Sequence, residues 1–285
     1  MDAKHIVRIA QTEGMLGAHF PRKDAAVDLY DENTPRNRDQ VAGLAKGLRL
    51  IEAFDSAHTR MTLSEAARRV GISPAAARRC LLTLCEAGYA QTDGKLFWLG
   101  HGALRVAYAY AASTRLPRML QPALDALAER SRESGTLSVL DGRVVTIAAR
   151  ATARRTMRVG LVMGSRLPLY CSAAGRALLA GLADEAWQAM TAGMPMRAYT
   201  QYTAATPAGL AQHIAFCREK GYATCDEEIE LGVRSIAIPI YNKGGETVAA
   251  MSVSTRAERM TTGEMVARLL PTMQRHQEWA RDRLD

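Results

Sequence analysis

Two adjacent arginines on a predicted helix have the side-chain type and the position that contact with DNA requires. A helix from Ser73 to Ala87 places Ala77 and Leu81 on one face and Arg79 on the opposite face. An arginine side chain binds the edge of a guanine, or a phosphate, through two hydrogen bonds at once. A serine and the free N–H groups at a helix start also donate to phosphate oxygens. We therefore expect DNA contacts from Ser73, Ala75, Ala76, Arg78, Arg79 and Thr83, and from Lys95 at the tip of a following hairpin.

A second group of residues has the types that enzyme chemistry uses. Cys171 and Ser172 precede a predicted helix, whose N-terminus can activate a nucleophile. The sequence has no Gly-x-Ser-x-Gly nucleophile motif, and no histidine is spaced to serve as its base. His213, Cys217 and Cys225 lack the paired Cys-x-x-Cys of a structural zinc site. We expect no enzyme, no metal and no cofactor, and a hydrolase or transferase that uses the Cys171/Ser172 region is the alternative.

The elements around the arginines follow from local signals. Thr62 and Glu65 have the spacing of a capping box, which predicts a helix to about Val70, and Gly71 ends it. Ser73 caps the next helix, whose first residue is a proline. An Asp-Gly dipeptide between two short β-prone runs then predicts a hairpin. Together these elements predict a winged helix-turn-helix, and in that context DNA contact is favoured over a merely solvent-exposed arginine face.

Composition narrows the class of protein. The 285 residues carry 37 Lys and Arg against 29 Asp and Glu, a formal charge of +8 that is compatible with a polyanionic partner. No apolar stretch is long enough for a transmembrane helix, and the N-terminus does not have the pattern of a secretory signal. Five cysteines without a paired framework are typical of a reducing compartment. We expect a cytoplasmic protein.

Four regions are expected along the chain, in an α+β fold class. They are a flexible N-terminal extension (1–37), the winged helix-turn-helix (38–100), a linking and dimerisation helix (101–114) and an effector-binding domain (115–285). In the last region, helices alternate with strands that hairpins join, which favours a largely antiparallel sheet. The linking segment is rich in alanine and tyrosine, and the alternative is that it packs on its own domain.

Several motifs resemble those of IclR-type bacterial transcriptional regulators. The segments keep the order and spacing of that family, and they lie at residues 41–51, 79–84, 167–180 and 221–239. Residues 75–79 and 164–168 further resemble the branch that controls protocatechuate and 4-hydroxybenzoate catabolism. The resemblance implies a ligand-responsive, DNA-binding regulator that binds palindromic promoter sites as a dimer or tetramer. It also implies a GAF-like domain with a curved antiparallel sheet that binds a small aromatic carboxylate.

The effector-binding residues follow from the resemblance and from the chemistry of a carboxylate. By position, the resemblance places the pocket at Ser172, Ala173, Ala174, the segment from Cys225 to Ser235, Ser252 and Ser254. A buried carboxylate needs a charged partner, and Arg166, with Arg158 or Arg234 as alternatives, has the fork that binds one. Tyr170 is expected to stack on the ring. Two alternatives stay open: Arg166 pairs with a surface acid, and the serines lie on a solvated sheet face.

Four acidic residues follow Cys225, at positions 226, 227, 228 and 230. A loop exposed to solvent is the expected structure of this acidic run, because no second acid elsewhere in the sequence completes a hydrolytic pair.

Overall fold

The computed structural model describes residues 41–152 and 161–285. By their internal contacts these residues divide into two compact units, one ending at Arg118 and the other beginning at Met119. The predicted N-terminal extension lies outside the described residues. Among the described residues, no helix combines the length and the apolar character needed to cross a bilayer.

The first unit is built on three helices and a small sheet. Its helices are α1 (Ala42–Glu52), α2 (Leu63–Val70) and α3 (Pro74–Glu86), and the two-residue strand β1 (Met61–Thr62) precedes α2. The predicted capping box is present, since Thr62 accepts from the Glu65 N–H and the Glu65 carboxylate accepts from the Thr62 N–H. Gly71 follows α2 with φ +71°, a left-handed conformation in which glycine is unstrained.

The wing is a hairpin with an added strand. Strands β2 (Ala90–Thr92) and β3 (Leu96–Leu99) form the predicted hairpin, and β1 pairs with the other edge of β3. Sequence analysis missed β1, because two residues are too few to show a strand periodicity. One apolar core joins the three helices and the wing, through Leu50, Ala66, Leu81 and Phe97. Helix α4 (Gly102–Ser113) follows, where the linking helix was expected.

The second unit surrounds a six-stranded antiparallel sheet. Its elements in chain order are α5 (Arg115–Ser131), which carries the boundary between the units, β4 (Ser134–Asp141), β5 (Val144–Thr152), β6 (Arg166–Pro168), α6 (Ala173–Ala180), α7 (Asp184–Thr191), α8 (Pro207–Lys220), β7 (Ala223–Asp226), β8 (Val233–Tyr241), β9 (Thr247–Arg256) and α9 (Thr262–Arg281). The strand order is β6-β5-β4-β9-β8-β7, and every neighbouring pair is antiparallel. The predicted α+β class is therefore confirmed.

Alternating residues of the strands divide the sheet into two faces. One face, which we call the α6 face, carries Val145, Ile147, Ala237 and Ala250 in one buried cluster with residues of α6 and α8. The other face packs against α9, through its contacts with β8.

Candidate functional site

The exposed face of α3 carries most of the predicted DNA contacts. Ala75, Arg78, Arg79 and Thr83 are exposed, whereas the opposite face of the helix is buried. The Ser73 hydroxyl accepts from the N–H of the third helical residue at 3.3 Å, which fixes the helix start. The helix therefore presents two arginine side chains and a capped N-terminus on one surface.

Ala76 is a correction to the predicted DNA-binding face. Its side chain is buried, with 8% of the residue exposed. On a helical wheel Ala76 lies about 100° from the buried Ala77, at the flank of the helix rather than at its outer face. Helices α1 and α2 both pack on α3, and their packing accounts for the burial of the flank.

The wing holds the exposed Lys95 in a rigid turn. The Asp93 carboxylate accepts from the backbone N–H groups of Leu96 at 2.7 Å and Lys95 at 2.9 Å, and these hydrogen bonds hold the pKa of Asp93 below its usual value. Arg60, which sequence analysis missed, stacks over the Trp98 ring at 4.1 Å. This cation–π contact depends on the pairing of β1 with β3, so the sequence alone gave no signal for it.

A cavity lies between the start of α6 and the part of the α6 face where the strands β4, β9 and β8 carry hydroxyl side chains. The space, part of it open to solvent, is about 530 Å³. Its lining contains the predicted Ser172, Ala173, Ala174, Ser235, Ser252 and Ser254, together with Cys225, Ile229, Glu230 and Val233 of the predicted segment, and with Thr136, Leu161 and Leu167. The structure thus brings together the residues that the resemblance placed in a pocket.

Hydroxyl groups of three adjacent strands form a row on the cavity floor. Thr136 of β4 lies opposite Ser252 of β9, and their hydroxyl oxygens are 2.7 Å apart. Ser254 lies opposite Ser134 on one side and Ser235 on the other. Because cross-strand neighbours share a face, these serines and the threonine make one hydroxyl row. The members of the row that line the cavity are Thr136, Ser235, Ser252 and Ser254. The row offers hydrogen-bond donors and acceptors to a ligand in the cavity. The other walls of the cavity are largely apolar.

The first turn of α6 forms another part of the cavity lining. The Ser172 hydroxyl accepts from the Gly175 N–H at 3.0 Å and donates to the Pro168 carbonyl at 2.6 Å. A side chain at Gly175 would begin 2.1 Å from the Leu169 carbonyl oxygen, so only glycine lets the helix approach this closely. The N–H groups of Ala173 and Ala174 lie in the first turn, where a helix has no internal acceptor for them. They can donate to a ligand oxygen.

Three residues predicted to bind the effector do not line this cavity. Arg166 lies 3.5 Å from the Asp141 carboxylate, the surface pairing that was the alternative. The Tyr170 hydroxyl donates to the Arg197 carbonyl at 2.6 Å, and only 3% of Tyr170 is exposed, so its ring packs in the core. Arg234 forms an ion pair with Asp226 and donates to the Ala257 carbonyl at 2.7 Å. The further alternative at position 158 lies outside the described residues.

The thiols near the cavity are poorly suited to nucleophilic chemistry. Burial raises the pKa of Cys171 well above its usual value, and it raises the pKa of Cys225 to about 11. A thiol must ionise to act as a nucleophile, so both side chains stay protonated near neutral pH. Within residues 41–152 and 161–285, no group of three or more His, Cys, Asp or Glu side chains has the arrangement of a metal site.

A buried ion pair joins α6 to the strand and loop that close the cavity. The Arg176 guanidinium donates to both carboxylate oxygens of Glu228, at 2.5 and 2.7 Å, and to the Thr224 carbonyl at 2.8 Å. Glu228 also accepts from the Ala204 N–H at 3.0 Å. Arg176 is fully buried and Glu228 is 6% exposed. The expectation that the whole acidic run is a solvated loop is therefore wrong at Glu228, because a partner 52 residues away neutralises it.

Two domain models of one protein family match the chain. Residues 43–94 match the IclR helix-turn-helix domain, and residues 108–282 match the bacterial transcriptional regulator IclR C-terminal domain. The Pca regulon regulatory protein of Pseudomonas putida is 37% identical over 236 residues, which cover 82% of this chain and 81% of that protein. The p-hydroxybenzoate hydroxylase transcriptional activator of Acinetobacter baylyi is 34% identical over 243 residues, 84% of this chain and 90% of that protein.

A solved structure extends the comparison to a bound ligand. It is the inducer-binding domain of the transcription factor PobR from Acinetobacter, as a double mutant in complex with 3-hydroxybenzoic acid. It is 26% identical with a TM-score of 0.55, and the match covers 59% of this chain and 98% of that domain. The related proteins are transcriptional regulators, so the comparisons support a regulator and not the hydrolase or transferase alternative.

The ion pair generates the first prediction. Arg176→Met leaves the Glu228 carboxylate buried without its partner, so the free energy of unfolding is expected to fall by about 3–5 kcal/mol. Replacing both residues, as Arg176→Met with Glu228→Leu, removes the unpaired charge and is expected to recover part of that loss. Denaturant unfolding of the single and double variants measures both effects. A double variant less stable than Arg176→Met alone contradicts this account of the pair.

Proposed function

The chain belongs to the IclR family of bacterial transcriptional regulators, and we propose that it controls an operon for aromatic-acid catabolism in response to a small aromatic carboxylate. The observation that carries the proposal is the cavity beside α6, with hydroxyl groups on its floor and helix N–H groups at its side. In this proposal the effector is of the 4-hydroxybenzoate or protocatechuate type.

The chemistry of the cavity supports that class of ligand. Leu161, Leu167 and Ile229 provide apolar walls against which the faces of an aromatic ring can pack. The hydroxyl row and the Ala173 and Ala174 N–H groups can hydrogen-bond to ring hydroxyl and carboxylate oxygens. Two relatives that are 34–37% identical regulate the Pca regulon and p-hydroxybenzoate hydroxylase, and the PobR domain holds a hydroxybenzoic acid.

We infer that α3 and the wing together contact promoter DNA. The exposed face of α3 supplies arginines for base edges or phosphates. The wing, which belongs to the same compact unit, supplies the cation of Lys95. The residues proposed to contact DNA are Ser73, Ala75, Arg78, Arg79, Thr83 and Lys95. Ala76 contributes by its small size at the flank, since its side chain is buried.

Removing one arginine of α3 tests the DNA interface. If the side chain contacts a base, Arg79→Ala is expected to weaken binding to a cognate promoter fragment by about 1–3 kcal/mol. If it contacts phosphate, the variant is expected to weaken binding to DNA of every sequence by the same amount. Arg79→Lys keeps the charge without the fork and so distinguishes the two cases. Arg130→Ala, at an exposed position of α5, is the control for the loss of one charge. Fluorescence anisotropy showing equal affinity for Arg79→Ala and the unchanged protein excludes this contact.

We further propose that the protein acts as a homodimer or a dimer of dimers, assembled through α4. Leu104 and Tyr108, one turn apart, are 67% and 75% exposed, and Val106 is 56% exposed. An exposed apolar helix surface of this kind is typical of an interaction site. A single winged domain contacts only a short half-site, so a symmetric pair is favoured for a palindrome.

Light scattering tests this assembly. At micromolar concentration the unchanged chain is expected to have at least twice the monomer mass of 31.0 kDa. Leu104→Glu with Tyr108→Glu places charges on the apolar surface of α4 and is expected to shift the mass toward the monomer, because burying unpaired charges is costly. A monomer mass for the unchanged chain, with and without DNA, contradicts the proposal.

Calorimetric titration with 4-hydroxybenzoate and protocatechuate tests the effector class. We expect binding of at least one acid to the unchanged protein. Ser254→Ala removes one hydroxyl of the row and is expected to weaken binding by about 0.5–1.5 kcal/mol. Arg166→Ala is the matched control and is expected to leave the affinity unchanged, because Arg166 pairs with Asp141 outside the cavity. No heat from either acid rejects the ligand class.

A further inference from the structure

We propose that Glu230 binds the ring hydroxyl of the effector, and that it makes the cavity selective for hydroxylated aromatic acids over aromatic acids without a hydroxyl. The inference rests on the proposed function, because it names the chemical group that distinguishes the effector within the class of aromatic carboxylates. Glu230 lies on the loop between β7 and β8 and lines the cavity. Its assignment follows from the partners of the neighbouring acids and from the hydrogen-bonding character of the lining.

Glu230 differs from the other members of the acidic run in its partners. The first three acids bind groups of the protein, which are Arg234 for Asp226, the Gly232 N–H for Glu227 and Arg176 for Glu228. Within residues 41–152 and 161–285, the side chain of Glu230 has neither a hydrogen bond nor an ion pair. Glu230 is half-buried at the cavity, so its carboxylate is available to a ligand there.

Hydrogen bonds hold the backbone of this loop close to Glu230. The Thr203 hydroxyl donates to the Glu228 carbonyl at 2.6 Å, and the Val233 N–H donates to the Glu230 carbonyl at 3.3 Å. The bidentate contact between Arg176 and Glu228 joins the same loop to α6. A side chain on a backbone that is fixed in this way is held at a defined place, which selection of one ligand group requires.

Glu230 also differs from the rest of the lining in the ligand groups that it can bind. In the part of the chain that the structure describes, it is the one charged residue of the lining, whose other polar side chains are hydroxyl groups and the Cys225 thiol. A hydroxyl group can donate or accept, so the hydroxyl row does not distinguish a ligand carboxylate from a ring hydroxyl. An ionised carboxylate can only accept, so Glu230 binds a ligand group that has a hydrogen to donate.

The charge of Glu230 sets the orientation of the ligand. Like charges repel, so the carboxylate of an aromatic acid is disfavoured beside Glu230. The N–H groups of Ala173 and Ala174, in the first turn of α6, favour that carboxylate instead. A ring hydroxyl that donates to Glu230 makes a charge-assisted hydrogen bond, which is stronger than a bond between neutral groups. The loop and the helix therefore favour different ends of a hydroxy acid.

Comparing 4-hydroxybenzoate with 4-fluorobenzoate tests the proposal. Fluorine has nearly the size of a hydroxyl group but no hydrogen to donate, so calorimetry of the full chain is expected to show tighter binding of the hydroxy acid. Glu230→Ala is expected to lower the ratio of the two affinities by about 10- to 100-fold, the usual value of a hydrogen bond to a charged group. Glu230→Gln keeps a neutral acceptor and is expected to lower the ratio by less.

The ratio distinguishes this role from two others. Loss of a negative charge alone strengthens both acids equally, and damage to the loop weakens both equally, so an unchanged ratio in Glu230→Ala overturns the assignment. The matched control is Glu258→Gln, at an exposed position outside the lining, for which the ratio is expected to stay the same. If circular dichroism shows that Glu230→Ala is unfolded, the ratio in Glu230→Gln decides.

The outcomes also separate failure of this inference from failure of the proposed function. If the unchanged protein binds the two acids with equal affinity, Glu230 does not select for a hydroxyl, and the inference is wrong while the effector class stands. If the unchanged protein binds neither acid, the effector class itself is wrong and the inference fails with it.

Discussion

The buried pair of Arg176 and Glu228 is the interaction on which the ligand-binding unit depends. It fixes helix α6, whose first turn lines the cavity, to the loop that follows β7 and supplies Ile229 and Glu230 to the same lining. Taking two charges out of water costs several kcal/mol, and only close bidentate geometry with further hydrogen bonds offsets that cost. Here the pair has both, through the Thr224 carbonyl and the Ala204 N–H. The position of two cavity walls therefore depends on one electrostatic contact.

One face of the sheet contains both part of the apolar core and the polar floor of the cavity. On the α6 face, the middle of the sheet is apolar and packs against α6 and α8, while one end carries hydroxyl groups where a core would carry methyl groups. Thr136 and Ser252 satisfy each other across the strands, which lowers the cost of burying them. The structure thus gives up part of its apolar packing in order to keep a polar surface inside the fold.

Local signals in the sequence predicted local structure well. The capping box at Thr62, the serine-proline start of α3 and the wing hairpin are each set by residues close together in the chain, and all three are present. Features that depend on contacts between residues far apart in the sequence were not predicted. Ala76 is buried by neighbouring helices, and Glu228 is paired with a residue far away in sequence. Ser235, Ser252 and Ser254 were anticipated from family positions, and Thr136 was not. Arg166 and Arg234, which were chosen for their charge, do not line the cavity.

In the proposed function, an aromatic acid bound beside α6 changes how the protein binds DNA. The most direct test is fluorescence anisotropy of the full chain on a fragment of its own promoter, titrated with and without saturating 4-hydroxybenzoate. Coupling between two sites is typically about 1–3 kcal/mol, so the account predicts a saturable change in DNA Kd of roughly 5- to 150-fold. The same DNA Kd at an acid concentration that calorimetry shows to saturate the protein would contradict it.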